Sequence, residues 1–96
     1  MTPCTVREIC AAVNGVLLQG SDAAVTQVST DSRSVPAGAL FVPLVGERFD
    51  GHAYIGKALE SGAAGCLTAQ ALETLLPGKF YIQVEDTRLA LKALAS

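Results

Sequence analysis

The second half of the chain alternates helix-periodic segments with short apolar runs, and this order restricts the possible fold strongly. Residues 54–59, 72–76 and 86–95 place apolar side chains at helical spacing, whereas residues 65–68 and 80–84 are strand-like runs. Such alternation is typical of parallel strands joined by helices that pack on the sheet. The 96 residues therefore predict an α/β fold in one small domain, with a mostly parallel sheet and flanking helices.

The first half begins with a helix start signal. Thr5-Val-Arg-Glu8 has the spacing of a capping box, in which a hydroxyl and a carboxylate satisfy unpaired backbone donors. Asn14-Gly15 is expected to end that helix. Branched residues at 16–18 and 25–30, with a Gly20-Ser-Asp loop between them, predict two strands joined by a turn.

A further strand is predicted at residues 40–45. Val35-Pro-Ala-Gly38 precedes it and fits a type I turn with proline second and glycine fourth. Pro43 lacks an N–H group, which places this strand at a sheet edge or a bulge. Asp50 is positioned to cap the next helix. The expected buried stripe of that helix is Tyr54, Ile55, Ala58 and Leu59.

Composition and charge argue against several classes of partner. The net charge is −2 and the seven Lys and Arg residues form no dense run, which argues against nucleic acid and anionic membranes. No apolar run approaches the roughly 20 residues of a membrane span, and no secretion signal is evident. The widely spaced Cys4, Cys10 and Cys66 support neither a disulfide framework nor a zinc knuckle. A cytoplasmic location is expected.

The sequence provides few groups for catalysis. His52 is the only histidine, so no cluster of metal ligands is predicted. Gly78-Lys79 is the only Gly-Lys pair, but Glu73 and Phe80 occupy positions where a phosphate-binding loop needs glycine and Ser or Thr. We therefore predict no catalytic residue, no metal site and no cofactor in these 96 residues.

Two polar loops follow predicted strands, Thr30-Asp-Ser-Arg33 and Gly46-Glu-Arg-Phe-Asp-Gly-His52. Small-molecule sites favour such strand ends. The loops supply hydroxyls, arginines, a carboxylate and a ring, a set suited to a sugar nucleotide with its diphosphate. Another interpretation stays open from the residues alone: Asp31 and Ser32 form an Asx-type turn, and Arg33 lies in water.

The order of these motifs resembles the N-terminal domain of the Mur ligases. The matching stretches are the two loops, Val35-Pro-Ala-Gly-Ala-Leu-Phe-Val42 between them, Ala58, and Gly62-Ala63. The resemblance implies that residues 1–96 are the UDP-substrate-binding domain of a longer cytoplasmic ligase of peptidoglycan synthesis. That ligase would use ATP and magnesium, held by a central ATP-binding domain of the same chain.

By motif, the resemblance also implies which residues contact the UDP end of UDP-N-acetylmuramoyl-tripeptide. The expected substrate-binding residues are Thr30, Ser32, Arg33, Glu47, Arg48 and Phe49. Arg48 is suited to pair with diphosphate oxygens. The residues expected to shape the loops are Asp31, Gly46, Asp50, Gly51 and His52.

Within the family, Glu47-Arg-Phe-Asp-Gly-His52 and Val84-Glu-Asp-Thr87 are most similar to the members that add D-alanyl-D-alanine. The members that add diaminopimelate or lysine at the previous step share the D-S-R and D-G motifs and are the alternative. A non-catalytic α/β interaction module is a second alternative. The last helix keeps its apolar periodicity up to Ser96 without a terminating Gly or Pro, so we expect a longer parent protein.

Overall fold

The computed structural model describes residues 3–20 and 23–95. Its strands and helices follow the chain in this order: β1 (Cys4–Thr5), α1 (Val6–Ala12), β2 (Val16–Gln19), β3 (Ala24–Val25), β4 (Val28–Ser29), β5 (Leu40–Phe41), a 3-10 helix (Gly51–Tyr54), α2 (Ile55–Glu60), β6 (Gly65–Thr68), β7 (Phe80–Gln83) and α3 (Thr87–Leu94). None of the described helices is long and apolar enough to cross a membrane.

Five strands form the main sheet in the order β2-β7-β6-β5-β4. β4, β5, β6 and β7 pair in parallel, and only β2 runs antiparallel, along β7. A separate two-stranded sheet pairs β1 with β3. The predicted α/β fold with a mostly parallel sheet is confirmed.

Alternate residues of the strands enter two separate cores. On one face, Leu67 and Ile82 pack in a cluster with residues of α1 and α3. On the other face, Cys66 and Tyr81 pack in a cluster with α2. Full burial of each large apolar side chain contributes about 1.5–3 kcal/mol. The sheet is therefore covered by helices on both faces, as the near-continuous apolar runs of β6 and β7 require.

Most predicted helix boundaries are confirmed. Thr5 and Glu8 form both bonds of the capping box, at 3.1 and 3.0 Å. Asn14 has a φ of 53°, the left-handed conformation that ends α1. Asp50 caps the 3-10 helix, and Asp86 caps α3 through the N–H groups of its first turn.

The first half differs from the prediction in how its strands pair. β2 lies against β7, and the predicted strand at 25–30 is divided between β3 and β4, which belong to different sheets. Ser21 and Asp22 of the expected turn lie outside the described residues. Local sequence specifies extended backbone here, whereas the pairing partner of β2 lies more than 60 positions away in the chain.

The strand predicted at residues 40–45 is shorter than expected. Regular pairing covers Leu40–Phe41, and β5 lies between β4 and β6 rather than at an edge. Pro43 follows the paired residues, so its missing N–H does not interrupt the ladder. The preceding turn is shifted by one residue: Ala39 N–H donates to Pro36 O, and Gly38 is third, with a φ of 79°. That φ is typical of a type II turn.

The helix predicted at residues 72–76 is wrong. This segment is irregular, although Leu72, Leu75 and Leu76 pack on the α2-side core. The Leu76 N–H donates to the Tyr81 hydroxyl, and the Leu76 carbonyl accepts from the side chain of Gln19. Side chains from elsewhere in the fold thus take over backbone bonds that a helix would have supplied.

Candidate functional site

The carboxyl ends of the parallel strands bring both polar loops to one edge of the sheet. Residues 30–33 follow β4 and residues 46–52 come after β5. Ligand sites of open α/β sheets lie at this edge. The structure therefore brings together two segments that are separated by a turn and a strand in the sequence.

A cleft of about 450 Å³ opens between these segments and α2. Its lining residues are Thr30, Asp31, Ser32, Arg33, Phe41, Phe49, Tyr54 and Lys57. Binding pockets for small molecules typically span about 300–1,000 Å³, so the cleft has the size of a ligand site. The lining combines hydroxyls, two cations and one carboxylate with three aromatic rings.

The loop after β4 is held in an Asx turn. Asp31 accepts from the Arg33 N–H at 2.9 Å, and its carboxylate also meets the Arg33 guanidinium at 3.1 Å. The hydrogen bonds from the Arg33 side chain and backbone lower the pKa of Asp31. Ser29 supports the turn from below, because its hydroxyl donates to Asp31 O. The Asx-type turn expected from the residues is present, and the same loop also lines the cleft.

Residues 46–49 form a tight turn after β5, here called the tip turn. Val45 and Asp50 pair as an isolated antiparallel bridge at its base, and Gly46 N–H donates to Phe49 O at 2.6 Å. Glu47 and Arg48 are exposed at the tip, outside the lining of the cleft. The predicted contact residues of this loop thus divide between the tip and the cleft wall, where Phe49 lies.

Phe49 stacks on Tyr54 at the wall of the cleft. The ring centroids are 5.9 Å apart and the planes are 18° apart. Tyr54 is 42% exposed, which corrects its expected place in the buried stripe of α2. Ile55, Ala58 and Leu59 of that stripe are buried as predicted. The exposed ring pair offers an apolar face on which a flat ligand can stack.

Asp50 and His52 anchor the loop to the end of β6. Asp50 accepts from the His52 N–H and ring Nδ1, at 2.9 and 2.7 Å, and from the Gln70 amide at 2.8 Å. These hydrogen bonds, first of all that from the His52 backbone, lower the pKa of Asp50. The His52 ring is buried, and its Nε2 accepts from the Ala69 N–H at 2.9 Å. Both residues therefore hold the loop against the end of β6.

Sequence reasoning missed Tyr54 and Lys57 as residues of the cleft. They are three positions apart across the start of α2, the spacing that places side chains on one helix face. The spacing is visible in the sequence, but the apolar periodicity of the same segment also fits Tyr54 to the buried stripe of α2. Gly78-Lys79 has a different role: the Lys79 ammonium donates to Ala63 O at 2.7 Å.

Residues 3–20 and 23–95 contain no group of three or more His, Cys, Asp or Glu side chains arranged to hold a metal ion.

A model of the family described as "Mur ligase family, catalytic domain" matches residues 24–96, three quarters of the chain. The chain belongs to the Mur ligase family.

Relatives of this Mur ligase chain include two kinds of ligase. It is 40% identical over 96 residues to UDP-N-acetylmuramoyl-tripeptide--D-alanyl-D-alanine ligase of Escherichia coli (strain K12), covering 100% of this chain and 20% of the relative. It is 38% identical over 92 residues to UDP-N-acetylmuramoyl-L-alanyl-D-glutamate--2,6-diaminopimelate ligase of Bacteroides fragilis, covering 95% and 19%. The Mur ligase chain thus spans about a fifth of the length of these relatives.

The Mur ligase chain also superimposes on a solved structure. The crystal structure of MurF from Acinetobacter baumannii matches with a TM-score of 0.85 at 28% identity, over 98% of this chain and 20% of that one. The small α/β domain with its mostly parallel five-stranded sheet therefore has the fold of the MurF N-terminal domain.

Proposed function

We propose that the chain binds the UDP end of UDP-N-acetylmuramoyl-tripeptide for an ATP-dependent ligase that adds D-alanyl-D-alanine in peptidoglycan synthesis. The observation that carries the proposal is the cleft, in which the loop after β4 faces the Phe49–Tyr54 ring pair and Lys57. Membership of the Mur ligase family supports it and weighs against a non-catalytic interaction module.

Each part of the ligand has a suitable counterpart in the cleft. The ring pair offers a stacking surface for the uracil. The hydroxyls of Thr30 and Ser32 are suited to the polar edges of base and ribose. Lys57 and Arg33 supply positive charge for the diphosphate, and Arg48 reaches the ligand from the tip turn.

Catalysis belongs to other parts of the longer protein in this proposal. ATP and magnesium bind in its central domain, which is the expected neighbour of this chain, and the whole protein works in the cytoplasm. Residues 1–96 form the substrate-binding domain. We expect the purified chain of residues 1–96 to release no phosphate from ATP, even when all substrates are present.

Titration of the ¹⁵N-labelled chain with UDP-N-acetylmuramoyl-tripeptide tests the binding. Amide shifts are expected at residues 30–33 and 46–52, with a dissociation constant near 1 mM, about −4 kcal/mol, because the domain holds only one end of the ligand. UDP alone should shift the same amide resonances, since the proposed contacts with the cleft are made by the UDP portion of the ligand. Shifts spread over α1 and α3 instead would contradict the proposed site.

The alternative is a ligase that adds diaminopimelate or lysine at the previous step. The resemblance to the Bacteroides fragilis diaminopimelate ligase favours it almost equally. The longer protein decides between the two when it is supplied with ATP and magnesium. Product formation from UDP-N-acetylmuramoyl-tripeptide and D-alanyl-D-alanine supports the first ligase. Product formation from the dipeptide precursor and diaminopimelate or lysine supports the alternative.

A further inference from the structure

We propose that His52 is a positioning residue. As a neutral imidazole protonated on Nδ1, it holds the base of the tip turn against the end of β6 and so orients Arg48 and Phe49 toward the ligand. The part of this inference that concerns the ligand rests on the proposed nucleotide-binding function of the cleft.

The two ring nitrogens of His52 face opposite kinds of partner. The Ala69 N–H group, 2.9 Å from Nε2, is a donor, so Nε2 must present its lone pair. Nδ1 lies 2.7 Å from Asp50 Oδ1, and an ionised carboxylate only accepts, so Nδ1 carries the proton. A proton on Nε2 would direct two N–H groups at each other. These partners therefore select one tautomer of the neutral ring.

The end of β6 is itself ordered to receive this ring. The Thr68 hydroxyl accepts from Gln70 N–H at 3.1 Å and donates to Gln70 O at 2.9 Å, which closes a turn after the strand. That turn presents the Ala69 N–H to His52 and the Gln70 side-chain amide to Asp50. Ala69 and Gln70, adjacent in this turn, thus donate hydrogen bonds to two residues of the loop that comes after β5.

The consequence for the tip turn follows from connectivity. Asp50 forms the base of the turn through its bridge to Val45, and Phe49 is its direct neighbour in the chain. The His52 side chain is only 3% exposed, whereas the Asp50 side chain is 44% exposed, so loss of the ring would leave chiefly the Ala69 N–H without its buried acceptor. Removing the ring therefore breaks one of the two connections between the loop and the end of β6, and only the Asp50–Gln70 hydrogen bond remains. The base of the turn is loosened, whereas the residues of the tip are unchanged.

The tautomer gives a direct spectroscopic test. In a long-range ¹H–¹⁵N spectrum of the labelled chain near neutral pH, Nδ1 of His52 should resonate as a protonated nitrogen and Nε2 as an unprotonated one. The opposite tautomer, or a ring protonated on both nitrogens, overturns the inference. This readout does not depend on whether any nucleotide binds.

Variants test the positioning role. His52→Ala should weaken UDP binding about fivefold to tenfold, the effect of one net hydrogen bond, and speed exchange of the Gly46 and Gly51 amides. His52→Gln should recover part of the affinity, because its carbonyl can accept from Ala69. The matched control is Val6→Ala, which truncates a buried side chain of α1 on the other face of the sheet.

The control should leave UDP affinity within about twofold, since distant sites act independently. Equal affinities of His52→Ala and Val6→Ala would overturn the role in ligand positioning. If the unmodified chain binds no UDP, the proposed function fails, and the ligand part of this inference fails with it. Gly46 exchange still decides whether His52 holds the turn, since unchanged exchange in His52→Ala refutes that part alone.

Discussion

The backbone N–H of Ala69 donates to Nε2 of His52 across 2.9 Å, and this bond joins the end of β6 to the loop that comes after β5. The two partners are 17 positions apart in the chain. A buried histidine with both nitrogens bonded makes the two segments one structural unit. The wall of the cleft that carries Phe49 is therefore supported from the sheet rather than by its own loop alone.

Gly51→Ala should destabilise the fold. A Cβ at Gly51 would lie 2.9 Å from Leu44 N and 3.0 Å from Leu44 O, backbone atoms that cannot move aside cheaply. We expect a loss of about 1–3 kcal/mol in the free energy of unfolding, measured by urea denaturation.

Gly56→Ala is the matched control for this substitution. Gly56 lies in α2, and a Cβ added there would meet no atom within 4 Å apart from its chain neighbours and the backbone of its own helix. Alanine should therefore stabilise the fold by about 0.5–1 kcal/mol through better helix propensity. Equal effects of the two substitutions would contradict the close approach at Gly51.

Lys57→Ala should weaken UDP binding about tenfold at low salt, because a charge-assisted hydrogen bond to the diphosphate is lost. Added salt should reduce the difference, since this exposed charge is screened. Arg7→Ala removes an exposed positive charge from α1, away from the cleft, and should leave binding unchanged. An equal loss in both variants, measured by NMR titration, would show an effect of net charge rather than a contact in the cleft.

Arg48→Ala tests the motif-based role of the tip turn in the ligase that is proposed above. The KM for the UDP-substrate should rise about tenfold to hundredfold while kcat stays nearly unchanged. The reason is that a diphosphate contact far from the reacting carboxylate is equally strong in ground and transition states. A fall in kcat at unchanged KM, measured by steady-state kinetics, would place Arg48 in the chemistry instead.

Cys66 should make the fold sensitive to alkali. Burial raises the pKa of its thiol from 9.0 to about 12. As the pH rises, the thiol loses its proton in the unfolded chain before it does so in the folded one. Its contribution to the free energy of unfolding is therefore fully present below pH 9.0 and is lost as the pH rises toward about 12. Urea denaturation at a series of pH values should show this decline, and Cys66→Ala should flatten it. The pKa of Tyr81 is also raised, chiefly by burial, so this residue contributes a decline in the same direction.

The sequence by itself determined the features that depend on near neighbours. Thr5, Asp50 and Asp86 each cap a helix, because the side-chain oxygen accepts from an unpaired backbone N–H two or three residues further along the chain. The apolar runs at residues 65–68 and 80–84 specified buried parallel strands, and the fold class follows from their alternation with helices. The motif order also identified the two loops that meet at one edge of the sheet.

The tertiary structure alone decided which distant groups meet. Strand β2 pairs with β7, and residues 72–76 stay irregular because Tyr81 and Gln19 bond the backbone of Leu76. Tyr54, which the sequence predicts in the core, instead stacks on Phe49 and lines the cleft. The periodicity of a sequence indicates only which side chains are apolar and which face of a helix or strand they share. The residues that pack against that face lie far away in the chain. Burial against them, and hydrogen bonds from their side chains to the backbone, outweigh local propensity.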